Sequence, residues 1–203
     1  VGSSGLLEEL ISTTSMDNNN SITITGLDFS TYPRGYKFIA YNFNVHDATG
    51  AWVDSILRMK LGTSAGIMED ASQYGWHSID QRTWTQALAR NVGPDSYVEL
   101  CTGSVWRWFS TEVHIYPSNL SGTPSNTTGT GDGGYPAMYS AKTRSLKVDS
   151  DTGDKRVQTD SVEGGMILEN LPTPVANVDR IKFYTDTGNT WNGGSMRTYG
   201  LRF

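Results

Sequence analysis

The C-terminal stretch VDRIKFYTDTGNTWNGGSMRTYGLRF holds two segments with a period of two in their apolar side chains, and this period is the tightest constraint on the fold. Val178, Arg180, Lys182 and Tyr184 fall on one side, and Ile181, Phe183 and Thr185 on the other, as a strand with one half-buried face requires. Asp186 to Gly194 is rich in Gly and Asn, residues that accept positive φ or bond their own backbone, so the chain reverses there. Ser195 to Phe203 reads as a further strand, with Tyr199, Leu201 and Phe203 opposed to Met196 and Thr198. The pattern predicts a C-terminal β-hairpin with a long loop, its closing strand an integral part of the sheet.

The same periodicity recurs upstream. Glu9–Ser12 is a short candidate strand, and Ser21–Thr25 alternates with Ile22 and Ile24 inward. Tyr36–Val45 divides into Lys37, Ile39, Tyr41, Phe43 and Val45 against Tyr36, Phe38, Ala40 and Asn42, which suggests a central strand covered on both sides over part of its length. Ser55–Leu61 turns Leu57, Met59 and Leu61 inward. Residues 63–79 read as irregular and Gly-punctuated, and Thr83–Arg90 fits strand better than helix in this context. Ser96–Thr102 and Ser104–Tyr116 are strongly β-prone, the latter with Val113 and Ile115 opposite Glu112, His114 and Tyr116. Ala137–Val148, Arg156–Val162 and Met166–Leu168 complete the series, and Pro172 and Pro174 confine 171–175 to an edge or crossover.

Nine to eleven short strands separated by turn signals predict an all-β chain of two packed antiparallel sheets, jelly-roll-like, as one domain over residues 1–203. Residues 1–11 form an extended N-terminal segment. Residues 117–134, PSNLSGTPSNTTGTGDGG, offer almost nothing to a core and are expected to be a flexible loop insertion. At 203 residues the domain removes roughly 70% of its unfolded surface from water and needs no staple. Cys101, the one cysteine, is expected to be a small buried apolar residue.

Charge and motifs exclude more than they suggest. A net charge of −5 with scattered basic residues argues against nucleic acid. No apolar run is long enough to span a membrane, and Val1–Ile11 lacks the basic start of a secretory signal. His46, His77 and His114 lack metal-ligand spacing, and Asp149, Asp151 and Asp154 fit a calcium loop poorly because Gly153 comes one position early. No Gly-x-Ser-x-Gly elbow or phosphate loop occurs, so neither enzyme nor cofactor is expected. Asn19, Asn119 and Asn126 sit in sequons of the kind chance supplies in a Ser/Thr-rich chain.

Six Trp and ten Tyr are many for so polar a sequence. Trp76, Trp106, Trp108 and Trp191, with Trp84, are candidates for a surface that stacks on a glycan or meets a protein partner. Packing in a core or interface is the plainer reading for Trp106 and Trp108, and Trp191, in a loop, is expected to be the most exposed.

The ending Thr-x-x-Gly-Asn, Gly-Gly, Met-Arg-Thr-Tyr-Gly-Leu resembles that of a group of tailed-bacteriophage virion proteins, although Thr198 stands where Leu is usual. Leu10–Leu27 and Ser110–Ser118 resemble the same group. The resemblance implies a non-enzymatic β-sandwich on the particle exterior, made in the host cytoplasm and assembling with itself as a homotrimer and with other virion proteins. It favours a tail fibre or appendage over capsid decoration. A carbohydrate-binding module that reads a host surface glycan is the alternative from another class, and a hydrolase of host polymers is a third.

Overall fold

The computed structural model describes residues 7–46, 49, 56–64, 66–69, 74–82, 85–101, 109–117, 137–148, 155–166, 178–186 and 188–202. Fourteen strands and no helix occur among them: β1 Glu8–Ser15, β2 Ser21–Thr25, β3 Tyr36–His46, β4 Leu57–Thr63, β5 Gly66–Ile67, β6 Tyr74–Arg82, β7 Thr85–Asp95, β8 Val98–Glu99, β9 Phe109–Pro117, β10 Ala137–Val148, β11 Lys155–Met166, β12 Arg180–Thr185, β13 Thr190–Asn192 and β14 Ser195–Leu201. The chain is all-β, as expected. One sheet runs β1-β14-β3-β9-β10-β11-β6-β7, with β13 also on β3, and the other runs β2-β12-β4-β5, with β8 also on β4.

The pairings nest. Glu8 meets Leu201, Ser21 meets Tyr184, Tyr36 meets Ile115 and Arg58 meets Glu99, all antiparallel. The chain thus runs through four strands and returns along them in reverse order, alternating between the sheets. The hairpins β6–β7 and β10–β11 are insertions that widen the large sheet beyond β9. β7, which contains Pro94, is its outer edge, the position in a sheet where proline is tolerated.

Alternation decides what lies between the sheets. From β12, Ile181 and Phe183 are buried, and from β4 Leu57, Met59 and Leu61; they face Phe38, Val113, Ile115 and Met196 of the large sheet. The Phe38 and Phe183 rings meet edge to face at 5.6 Å. The Tyr74 hydroxyl also crosses the gap: it accepts from Leu61 N–H at 2.8 Å, and Leu61 and Met68 carbonyls lie 3.1 Å away as acceptors. Cys101 is fully buried, and that burial raises its thiol far above the ordinary range. It therefore acts as a small core residue.

Three local expectations are corrected. Residues 178–184 and 195–201 are not hairpin partners: β12 lies in the small sheet and β14 in the large one, and the Gly-rich link between them crosses the sandwich. β14 nevertheless lies inside its sheet, between β1 and β3. Simple alternation along β3 breaks: an irregularity between Ala40 and Phe43 shifts the register, so Tyr36, Phe38 and Ala40 and then Phe43 and Val45 all turn inward, while Asn44 between the last two is buried as well, so the strand is covered on both sides over that part of its length. Finally, the span 63–79, expected to be irregular, contains β5 and the first residues of β6 among its described residues, and β11 runs unbroken to Met166. Gly164 of β11 serves close approach: a Cβ there would stand 2.1 Å from the Gly75 carbonyl oxygen and 2.9 Å from Trp76.

Candidate functional site

A groove of about 500 Å³ opens on the outer face of the large sheet, lined by Leu7, Glu8, Pro33, Arg34, His114, Tyr116, Pro117 and Leu201. Its location follows from side-chain parity. Tyr36 and Phe38 are buried, so Lys37 faces outward, where it pairs with Glu8 of β1 and lies 5.2 Å from the centre of the Tyr199 ring. Leu10 pairs with Tyr199 in the same row, and the register shift between Leu10 and Ser12 makes Ile11 the extra residue of a bulge. The bulge leaves both Leu10 and Ile11 exposed. On the far side of the groove Tyr116 pairs with Met138 of β10. Leu7 is 63% exposed and Met138 50%, and Leu10, Ile11 and Tyr116 are exposed as well.

One wall is the turn at residues 28–35. The Asp28 carboxylate accepts from Ser30 N–H at 2.9 Å, from the Ser30 hydroxyl at 2.6 Å and from the Thr31 hydroxyl at 2.8 Å. These bonds, the Ser30 hydroxyl first, hold its carboxyl down at about 2. Behind it, Phe29 and Tyr32 both meet the Tyr36 ring edge-on at 5.3 Å. A carboxyl with a lowered pKa adds stability above its unfolded value of 3.8, and that stability is lost as pH falls through about 2. An acid titration of the thermal midpoint between pH 4 and 2 is expected to fall more steeply in the wild type than in Asp28→Asn; parallel curves would show that the turn bonds carry no stability.

The other polar groups of the face are satisfied locally. His114 Nε2 lies 2.8 Å from Glu112 Oε1, its ring stacks on Tyr116 at 5.9 Å, and Tyr116 hydroxyl is 3.2 Å from Ser140 Oγ. His77 is 3.9 Å from Glu163. His114 and His77 lie in one cross-strand row with β10 and β11 between them, about 14 Å apart at the usual strand spacing. His46 is at the end of β3, 3.3 Å from the Asn192 amide. Among the described residues no group of three or more His, Cys, Asp or Glu converges on a metal position.

The tryptophan candidates require correction. Trp191, expected to be exposed, is fully buried: its backbone N–H donates to Asn19, its carbonyl accepts from Asn18, and its ring meets Phe43 edge-on at 6.4 Å. The loop that contains it docks on β3 as β13, which carries the ring inward beside Val45. Trp76 is also buried, with its Nε1–H donated to the Tyr97 carbonyl at 3.2 Å. Neither ring has a face open to a ligand. Trp84, Trp106, Trp108, residues 118–134 and the 149–154 turn lie outside the described residues. The groove residues gave little sign in the sequence, since Pro33 and Arg34 belong to a turn, Pro117 ends β9, and Leu7, Glu8, His114, Tyr116 and Leu201 come from separate strands or their ends.

Compared with protein-family models and with curated proteins, the sequence finds no match.

Proposed function

We propose that this chain is a non-enzymatic structural component of a tailed-phage virion, a jelly-roll module on the particle exterior that works by assembly, in a tail fibre or appendage. The observation that carries the assembly reading is the group of exposed apolar side chains at the groove: Leu7 and Tyr116 line it, and Leu10, paired with outward Tyr199, and Met138, paired with Tyr116, lie on the same outer face. Exposed apolar side chains gathered on one face mark contact surfaces, whereas scattered ones mean little. The jelly-roll reading is supported by the nested pairing of β1 with β14, β2 with β12, β3 with β9 and β4 with β8 across two sheets. The virion assignment rests on the resemblance of the closing strand, the β1–β2 stretch and β9 to phage proteins. A glycan reader is less well supported, because Trp76 and Trp191 are buried.

The occupant of this surface is a second copy of the chain, three copies closing a ring. Light scattering on the purified protein is expected to give a trimer mass, and Leu10→Asp with Ile11→Asp a monomer of unchanged circular dichroism. Both residues are exposed, so the fold tolerates the change while the contact does not. A wild-type chain that stays monomeric at tens of micromolar, with no virion protein retained on it, would sink the proposal.

A further inference from the structure

The outer face of the small sheet carries a separate arrangement of charge. Strand pairing places Thr23, Lys182 and Lys60 in one cross-strand row, and Ser21, Tyr184, Arg58 and Glu99 in the next. Their sequence neighbours Ile181, Phe183, Met59 and Leu61 are buried, so both rows point outward. The second row is closed: Arg58 donates to Glu99 at 3.0 Å and lies 4.0 Å over the Tyr97 ring. Arg180, farther along β12, donates to Asp179 at 2.7 Å.

The first row is not closed. Lys60 and Lys182 stand directly opposite each other, a like-charge pair that destabilises a sheet unless an anion lies between. Both ammonium groups are 5.6 Å from the centre of the Tyr184 ring, whose negative face holds them together. The neighbouring carboxylate is Glu69, placed beside Lys60 because β5 returns along β4 and Met68 N–H donates to the Leu61 carbonyl at 3.0 Å. Glu69 Oε1 is 3.9 Å from Lys60 and 4.0 Å from Lys182, beyond the about 2.7–3.2 Å of a direct hydrogen bond. The lysine side chains are 14% and 30% exposed, but that of Glu69 is 61% exposed. One exposed carboxylate therefore serves two partly buried cations, and the pair keeps a positive charge.

We infer that the Lys60–Lys182 pair is a binding site for a single oxyanion, a carboxylate or phosphate group carried by a ligand, which takes the place of Glu69. An incoming group can donate one oxygen to each ammonium at full hydrogen-bond distance, as Glu69 does not, and these charge-assisted bonds are the stronger kind. Glu69 returns to water at little cost, since exposed ion pairs at such distances contribute little. Two lysines in an acidic protein suit one anionic group and not a nucleic-acid backbone, which needs many.

The test uses Glu69→Gln, which removes the internal competitor and leaves the lysines opposed. With ionic strength held constant, replacing chloride by inorganic phosphate or by glucuronate is expected to raise its thermal midpoint by about 3–5 °C once the anion is tenfold above its Kd. The wild type should need several-fold more anion for the same shift, and neutral glucose should have no effect. Adding Lys182→Gln to Glu69→Gln should abolish the response. A stronger response to glucuronate identifies a sugar-borne carboxylate as the source, and a stronger response to phosphate identifies a phosphate group. Absence of an anion-specific shift in Glu69→Gln, or a shift that survives Lys182→Gln, overturns the inference. Neither outcome depends on the oligomeric state that tests the assembly surface.

Discussion

Trp191→Ala is expected to lower the free energy of unfolding by about 4 kcal/mol, the usual loss when a fully buried large aromatic is cut to a methyl group. Two effects add. The ring leaves the core, and a cavity remains beside Phe43 and Val45, which are held in place by β3 and relax little. One point lies in the other direction: Trp191 Nε1 is buried without an acceptor, so its removal relieves a small penalty. In a domain of this size the thermal midpoint should fall by about 10 °C, read by calorimetry or by denaturant titration with an unchanged m-value. A loss under about 1 kcal/mol would show that the ring does not sit in the core. The result also bears on ligand binding, because a loss of glycan affinity in this variant would reflect unfolding and not a missing stacking surface.

Gly35→Ala should cost about as much through a different mechanism. Gly35 has φ of 98°, where an L-residue is strained, and a Cβ there would stand 1.9 Å from the Ile115 carbonyl oxygen. That oxygen belongs to β9, whose Ile115 pairs with Tyr36 next in the chain, so relief requires the β3–β9 ladder to open. Backbone strain of about 1–3 kcal/mol and a similar overpacking term together predict a loss of about 3–5 kcal/mol. Gly26→Ala is the control: its φ of 77° carries the strain, but no atom lies within 4 Å of the added Cβ. It should lose only the strain part. Equal losses in the two variants would mean that the contact with β9 contributes nothing. Because Gly35 links Arg34 to β3, a folded fraction of Gly35→Ala should also show altered association through the groove.

Much of the sheet architecture was legible residue by residue. Ile181 and Phe183, Leu57, Met59 and Leu61, Ile22, and Val113 with Ile115 all face the way alternation requires. Bulges defeated the pattern: at β3 the register shift after Ala40 turns Phe43 and Val45 to the same side as Phe38, and at β1 it exposes both Leu10 and Ile11. Glycine was misread for a related reason. Gly75 and Gly164 look like turn residues, yet both lie inside strands, and Gly164 makes room there for Trp76 and the Gly75 carbonyl. The groove was invisible, since its walls come from residues 7–8, 33–34, 114–117 and 201, which no local window contains.

The sequence already carried the fold class and the in-or-out direction of most side chains, because strand alternation is a local property set by backbone geometry. It determined as well that Cys101 would pack as a small apolar residue. Which strands pair was settled by packing in three dimensions. β12 and β14, close in the chain and alike in pattern, were separated into different sheets, while Glu8 was brought to Leu201. Partner choice depends on the summed packing of both sheets, with Phe38 against Phe183 and Tyr74 across to Leu61, and no single strand carries that information. The same holds for Trp191, whose loop position suggested solvent until docking on β3 enclosed it, and for Lys60 and Lys182, which become a pair only when β4 and β12 lie side by side.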